Sequence, residues 1–333
     1  MEIASPSALG AFARDLRAED LLECLSINPG RIGDELVGRA RAIEIWRSLV
    51  RSPSFSSTVI EAARPSAGHR IVGFGSGVFV SRAFALAELS DPRPGINSRI
   101  LAGIDSGPSV ILNEAQLRAG NTRGGLDMVV LHASLRHNVL SPQDVSEVAS
   151  AMAARFMEQH LGYRIDRLML ETVCAEEAAR LAAMYIWRPV RKFDETEPPA
   201  RCLWVITREE ALSVAGSVVN PLFHHREPVL RLRDADQHLL LSALSGLTDQ
   251  ELSSNLGLSL TAVKKRWISI FERTIDVRPD LFPDLDRPDL DGSDGQKRGR
   301  QKRHHVLAYV RSHPEELRPF ENEQLREAST IGD

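Results

Sequence analysis

The sequence predicts a two-domain protein, with an N-terminal α/β domain (α+β, built on a mixed sheet) followed by a C-terminal all-α domain. The 333-residue chain exceeds the usual size of a single domain. Helix and strand patterns alternate in the first part of the chain, whereas residues 232–274 contain only short, capped helical patterns. Hydrophobic residues (43%) and charged residues (26%) occur in the proportions of an ordered globular protein.

Changes in composition place the domain boundaries. Residues 220–228 contain two prolines and no periodicity, which is typical of a linker. Residues 276–296 carry seven aspartates against two arginines and should be extended and flexible. We therefore predict an α/β domain at 1–219, a linker at 220–228, a helical domain at 229–275, an acidic flexible segment at 276–296 and a basic tail with a short helix at 297–333.

The N-terminal domain is predicted to run helix, β-hairpin, strand, helix, strand, helix and two closing strands. One helix has clear start and stop signals: Ser141 can cap its N-terminus, Pro142 suits its first position and Gly162 can end it. The predicted helices cover 35–51, 142–161 and 175–186, and the predicted strands cover 57–63, 70–81, 126–133, 167–173, 190–193 and 202–207.

Three short helices are predicted in the C-terminal domain. The second begins at a capping box formed by Thr248 and Glu251, and Gly257 permits a tight left-handed turn before the third. Ser259 can cap that third helix, which runs from 260 to 274. A tight turn of this kind between two helices is what a helix-turn-helix requires.

The third helix separates an inward face from an outward face when its residues are placed at about 100° intervals. Val263, Trp267, Ile270 and Thr274 fall on the inward side. The outward side and its shoulders combine small or hydrogen-bonding residues with cations, which suits bases and phosphates respectively. The predicted DNA-binding residues are Ser259, Thr261, Ala262, Lys264, Lys265, Arg266 and Ser269.

Residues 232–274 resemble the C-terminal DNA-binding domain of LuxR/FixJ-type transcriptional regulators. The resemblance rests on Leu232, Leu239-Leu240, Gly246-Leu247, Glu251-Leu252, Leu256-Gly257, Ser259, Val263-Lys264 and Ile270. It implies a regulator that binds double-stranded DNA, and we expect a homodimer. The fourth helix of that family has no match after Thr274. One interpretation is that the tail helix, through Val306, Leu307 and Val310, covers Trp267 and Phe271 instead; the alternative is that the basic tail is a disordered arm.

The N-terminal domain resembles the acyl-CoA-dependent N-acetyltransferase superfamily (GNAT). The nearest local match is 178–190, and the order of elements agrees across about 15–210. Those enzymes hold the coenzyme phosphates with a glycine-containing turn after the central strand, whereas residues 132–142 contain no glycine. We therefore expect no resident cofactor beyond a degenerate acetyl-CoA site, with Arg136 and His137 as candidate anion-binding residues, and we do not expect catalysis.

Two functions follow from these resemblances. The first is a DNA-binding transcriptional regulator whose N-terminal domain senses a small-molecule ligand or mediates assembly. The alternative is a GNAT-type N-acyltransferase attached to a DNA-binding module, in which Glu171 would be a candidate general base and Tyr185 a candidate general acid. The glycine-rich stretch 73–77 is better interpreted as a closely packed strand than as a nucleotide loop.

Several classes of protein are excluded by composition. The net charge of −4 gives no overall attraction to nucleic acid, so such binding would need a local patch. Three scattered cysteines make no disulfide framework and suit the cytoplasm, and no histidine pair has metal-ligand spacing. No apolar run approaches the ~18 residues of a membrane helix, and the N-terminus does not resemble a signal peptide. We expect a cytoplasmic protein with no membrane partner and no metal.

Overall fold

The computed structural model describes residues 9–66, 68–107, 110–195, 200–282 and 295–321, without the side chains of 65, 66 and 295–300. The described residues group into two compact units, which divide between His224 and His225. We call residues up to 224 the N-terminal unit and those from 225 the C-terminal unit.

The N-terminal unit is built on a seven-stranded mixed sheet. The strands lie in the order β1-β2-β3-β4-β5-β7-β6, and β4 and β5 form the one parallel pair among the described strands. The coarse prediction of a mixed α/β sheet is therefore confirmed. The strands are β1 Ala11–Arg14, β2 Phe55–Ser66, β3 His69–Val80, β4 Leu126–Leu135, β5 Ile165–Val173, β6 Arg188–Lys192 and β7 Arg201–Thr207.

Helices cover both faces of this sheet. Helices α1 to α4 bury their apolar sides in one cluster around Trp46, and α6 to α9 pack on the opposite face. The helices are α1 Leu21–Ile27, α2 Arg39–Leu49, α3 Arg82–Ser90, α4 Ile96–Ser106, α5 Glu114–Ala119, α6 Pro142–His160, α7 Ala175–Ala183, α8 Arg208–Ser213 and α9 Asn220–Phe223. Helix α9 lies where a linker was predicted, because Leu222 and Phe223 are buried in the core.

The glycines of β3 let α6 approach the sheet closely. A Cβ at Gly73 would lie 3.0 Å from Val148 Cγ1, and one at Gly75 would lie 3.3 Å from Met152 Sδ. The interpretation of 73–77 as a closely packed strand is therefore confirmed, since side chains here would push α6 away.

The C-terminal unit contains four helices within its described residues: α10 Asp234–Leu244, α11 Asp249–Leu256, α12 Leu260–Val277 and α13 Gly295–Ser312. The capping box at Thr248 and the Ser259 cap form as predicted, and Gly257 has a φ of 63° in the turn between α11 and α12. The four residues predicted to face inward on α12 are its four buried residues, so the 3.6-residue periodicity placed this helix correctly.

Helix α13 packs on α12, as predicted for the tail helix. Val306 and Val310 are buried in one core with Trp267, and the Arg303 guanidinium lies 4.3 Å from the Trp267 ring centroid. Arg303 also forms an ion pair with Asp249. The acidic segment was predicted to be extended, but residues 276–277 continue α12 and 295–296 begin α13. Residues 283–294 lie outside the described part of the chain.

A buried carboxylate joins the two ends of the C-terminal unit. Glu316 is fully buried and accepts hydrogen bonds from the backbone N–H groups of Val229 and Leu230, each at 2.9 Å. The hydroxyl of Tyr309 donates to the same carboxylate at 3.0 Å. Burial raises the pKa of Glu316 despite these three donors, because desolvation penalises the charged form.

We predict that Gly33→Ala destabilises the protein by about 2 kcal/mol more than Gly38→Ala. Both glycines have a φ near 80°, where a residue with a Cβ is strained. A Cβ at Gly33 would also lie 2.8 Å from the backbone carbon of Asn97, whereas nothing lies within 4 Å of one at Gly38. Urea denaturation of both variants measures the difference in the free energy of unfolding. Equal losses of stability would contradict the prediction and show that α4 moves away from the added Cβ without cost.

We predict that the stability advantage of wild type over Glu316→Gln shrinks as pH rises. A raised pKa in the folded state means that folding takes up a proton, so this contribution is present at low pH and is lost as pH rises through the folded pKa. Urea denaturation at about pH 5 and about pH 7 tests this, with exposed Glu272→Gln as control. An advantage that grew with pH would contradict the prediction.

Candidate functional site

The parallel strands β4 and β5 separate before either one ends. Their pairing stops at Val130 and Leu170, although β4 continues to Leu135 beside β3 and β5 continues to Val173 beside β7. Leu131 is the extra residue of a bulge in β4, because β3 pairs with His132 and then with Val130. An otherwise continuous sheet therefore has an opening at the carboxyl ends of these strands, which we call the gap.

An ion pair spans the gap. Arg31 precedes the buried Ile32 on the α1–α4 face, and Glu177 lies on α7 on the opposite face. The Arg31 guanidinium donates to the Glu177 carboxylate at 2.6 Å and to the carbonyl of Leu131 at 3.3 Å. Because these side chains are only 2% and 11% exposed, the pair is nearly desolvated.

A narrow polar cleft lies beside the gap on the α1–α4 face, with an enclosed volume of only about 10 Å³. It is formed by the segment before α2, the first turn of α4, the end of β5 and the start of β7. None of the predicted DNA-binding or anion-binding residues lines it. Its charged and polar lining includes Arg31, Glu35, Asn97, Ser98, Glu171 and Arg201.

Glu171 holds this cleft together. Its carboxylate accepts hydrogen bonds from the backbone N–H groups of Gly95 at 2.9 Å and Ile96 at 2.7 Å, at the N-terminus of α4. Arg201 Nε donates to it at 2.6 Å. Since both carboxylate oxygens are occupied, Glu171 has a positioning role, and the hypothesis that it is a free general base is not supported by this geometry.

Asn97 and Ser98 place further groups at the cleft. The Asn97 amide donates to the carbonyls of Arg31 at 2.8 Å and Leu131 at 3.1 Å, so α4 is fixed to the bulge in β4. The Ser98 hydroxyl donates to Glu35, whose side chain lies at the exposed rim. None of these contacts was predicted from the sequence, although Gly95 before the apolar positions Ile96, Ile100 and Leu101 is a recognisable helix start.

Two buried polar atoms near the gap have no hydrogen-bond partner within the described part of the chain: Arg31 Nε and His132 Nε2. The His132 ring packs against Trp46 and Phe74, with centroids 5.4 and 5.0 Å away. Burial, reinforced by the positive charge of Arg31, holds the pKa of His132 well below its usual range. His132 is therefore neutral at physiological pH.

The predicted anion-binding residues Arg136 and His137 differ in their surroundings. Arg136 Nε donates to the carbonyl of Ile71 at 3.1 Å, whereas His137 is exposed on the next residue. The N-terminus of α6 is already occupied, because Asp144 accepts from the Ser141 hydroxyl at 2.6 Å in a capping box. A phosphate group would have to compete with the Asp144 carboxylate at this helix end.

The remaining candidates lie elsewhere. Tyr185 lies two residues after the end of α7, has a φ of 53° and is 93% exposed, and it does not line the cleft. Burial raises the pKa of Cys24 to about 12 and that of Cys202 to about 11, and it also raises the pKa of Cys174. All three thiols are therefore protonated at neutral pH, which argues against a thiolate nucleophile.

The predicted DNA-contact residues all lie on α12 or at its cap. Ser259 accepts from Ala262 N at 3.1 Å, and Arg266 donates to the carbonyl of Ala235 at 2.8 Å. The other predicted residues divide into exposed Thr261, Lys264 and Lys265, and half-buried Ala262 and Ser269.

Neither a membrane span nor a metal cluster occurs within the described ranges. No described helix is both long and apolar enough to cross a bilayer. Likewise, the described His, Cys, Asp and Glu side chains nowhere gather in threes as metal ligands. The expected homodimer and cytoplasmic location stay predictions.

Comparisons with known proteins give structural neighbours. No protein-family model and no curated protein sequence matches the chain. Among solved structures, it is similar to FeeM, an N-acyl amino acid synthase from uncultured soil microbes, with 12% identity and a TM-score of 0.35 over 63% of this chain and 97% of that one. It is also similar to a mutant agmatine N-acetyltransferase in its apo form, with 15% identity and a TM-score of 0.34 over 59% and 97%.

These neighbours correct the main functional prediction. Both are N-acyltransferases, and the prediction of a DNA-binding transcriptional regulator was wrong. No finding supports the expected double-stranded DNA partner. The DNA-contact assignments on α12 depended on that prediction and are not carried forward. The N-terminal unit does have the mixed, helix-covered sheet that the sequence predicted.

We predict that Arg31→Met destabilises the protein by about 3–5 kcal/mol, because it leaves the Glu177 carboxylate buried without its partner. The double variant Arg31→Met/Glu177→Gln should recover part of this loss. Arg41→Met, which removes two solvent-exposed ion pairs, with Glu44 and Asp105, is the control and should change stability little. Urea denaturation of the four proteins tests the pair, and strictly additive losses would show that the two side chains are not coupled.

Proposed function

We propose that the N-terminal unit transfers an acyl group from an acyl thioester to an amine at the gap between β4 and β5. The observation that supports this proposal is the separation of the two parallel strands beyond Val130 and Leu170, next to a polar cleft. A gap in a sheet exposes strand edges, and exposed strand edges bind extended molecules that carry amides.

The donor fits the free edge of β4. Residues 131–135 keep β3 as partner on one side and have no described strand on the other. The pantetheine arm of an acyl thioester is extended and carries amide groups, so it can add along this edge as a strand does. Because Asp144 and Ser141 already occupy the N-terminus of α6, strand-edge contacts rather than a phosphate turn carry donor binding in this proposal.

In this proposal the acceptor amine reaches the thioester from the rim of the cleft. Attack of its nitrogen on the thioester carbonyl forms the C–N bond and breaks the C–S bond. The amine proton passes to the Glu35 carboxylate and then to the leaving thiolate, so that the products are an amide and a thiol. Glu35 lies at the rim and is held there by the Ser98 hydroxyl. Direct attack also agrees with the three protonated thiols, which offer no acyl-accepting cysteine.

We predict that the full chain releases thiol from acetyl-CoA or a longer acyl-CoA only when an amine acceptor is present. Glu35→Gln should lower kcat/KM by about 100-fold, in the range of general-base effects. Glu44→Gln, an exposed carboxylate on α2, is the matched control and should leave the rate unchanged. Thiol release is followed by absorbance and the amide product by mass spectrometry. The absence of amide product with every donor and acceptor would contradict the proposal.

A further inference from the structure

The C-terminal unit has a pocket of its own. It is an open pocket with about 400 Å³ of space, which lies within the size range of small-molecule sites. It is formed between the segment that precedes α10 and the last turns of α12. This pocket, which we call the α12 pocket, is lined by Glu227, Pro228, Val229, Arg231, Arg273 and Val277.

Arg231 has a backbone conformation at this pocket that an arginine rarely adopts. Its φ is 45°, in the left-handed region that favours glycine. The preceding residues are fixed, because the N–H groups of Val229 and Leu230 donate to the buried Glu316 carboxylate. The carbonyl of Leu230 also accepts from Arg273 Nε at 2.8 Å. Glycine would relieve the strain at 231, and strain that persists in a fixed turn is typical of ligand-binding sites.

Guanidinium donors remain at the α12 pocket after its internal contacts are counted. Arg273 is half-buried and uses its Nε for the carbonyl of Leu230, and its two terminal nitrogens donate to no residue that the structure describes. The Arg231 side chain is 39% exposed, and its guanidinium lies 5.7 Å from the Phe320 ring centroid. Its ion pair with Glu227 is long, at 3.8 Å, and the Glu227 side chain is 66% exposed. An anion in the pocket would therefore face two guanidinium groups.

We infer that the α12 pocket binds a small carboxylate with an apolar body. The two arginines and one glutamate of its lining give a net charge of +1, which a single carboxylate neutralises. A guanidinium matches a carboxylate because the two groups can form parallel N–H···O bonds. The rest of the lining, Pro228, Val229 and Val277, is apolar, and Val229 is 44% exposed. A hydrocarbon body that covers this surface adds hydrophobic contact. The inference does not depend on the proposed acyl transfer.

Calorimetric titration of the full chain with octanoate, octanamide and inorganic phosphate tests the inference. We expect octanoate to bind at least about tenfold more tightly than octanamide, because the amide gives the guanidinium groups no anionic partner. We also expect octanoate to bind more tightly than phosphate, which covers no apolar surface. Equal binding of octanoate and octanamide, or no binding of octanoate in the millimolar range, would overturn the inference. Phosphate that bound as tightly as octanoate would overturn the assignment of an apolar body.

The variant Arg231→Gly separates a binding role of this side chain from a structural role. Glycine adopts a φ of 45° without strain, so this variant should melt at a temperature no lower than that of wild type. Its affinity for octanoate should fall at least about tenfold, because one guanidinium group is lost. A purely structural arginine gives the opposite pattern, a lower melting temperature with unchanged octanoate affinity, and that result would overturn the inference.

Two further variants locate the octanoate within the chain. Arg273→Lys keeps the positive charge but loses the planar fork of donors, so it should weaken octanoate binding less than Arg231→Gly does. Arg233→Gln, an exposed arginine just before α10 that does not line the pocket, is the matched control and should bind octanoate as wild type does. Unchanged affinity in both Arg231→Gly and Arg273→Lys would place the octanoate elsewhere and overturn the assignment. Thermal denaturation verifies that each variant is folded.

Discussion

The ion pair between Arg31 and Glu177 is the interaction on which the rest of the site depends. It crosses the sheet where β4 and β5 separate, and it joins the segment before α2 to α7 on the opposite face. An open seam in a sheet leaves main-chain groups without partners, and such groups are costly to bury. Here Arg31 satisfies the carbonyl of Leu131 while Glu177 accepts from the backbone N–H of Val173 at 3.1 Å. The ion pair therefore gives these main-chain groups hydrogen-bond partners at the gap, where no strand pairs with them.

A second layer of contacts fixes the cleft beside that opening. Glu171 binds the N-terminus of α4, and Asn97 in the same first turn binds the carbonyl of Leu131. Gly33 lets the segment before α2 pass close to that turn, so the two walls of the cleft are set by backbone contact. The resulting wall carries Glu171, which is fully hydrogen-bonded, beside the guanidinium groups of Arg31 and Arg201.

The sequence predicted what local patterns encode. Alternating apolar residues placed most strands of the sheet, and the caps at Ser141, Thr248 and Ser259 are all formed. It missed the cleft because that site is assembled by long-range contacts: Arg31 and Glu177 are 146 residues apart, and Gly95 and Glu171 are 76 apart. Glu171 was identified as a functional candidate, but only its surroundings show that it is a positioning residue. The regulator prediction gave the most weight to the 43 residues of 232–274 with the clearest local pattern, although the N-terminal unit is the larger of the two.

The central claim is that an acyl thioester binds along the free edge of β4 at the gap. Hydrogen exchange of the full chain with and without a non-reactive thioether analogue of acetyl-CoA tests it directly, because exchange reports protection of individual backbone segments. We expect slower exchange in residues 131–135 and 171–177, with the β2–β3 hairpin unchanged. Protection confined to other segments, or no protection at a saturating concentration of analogue, would contradict the account.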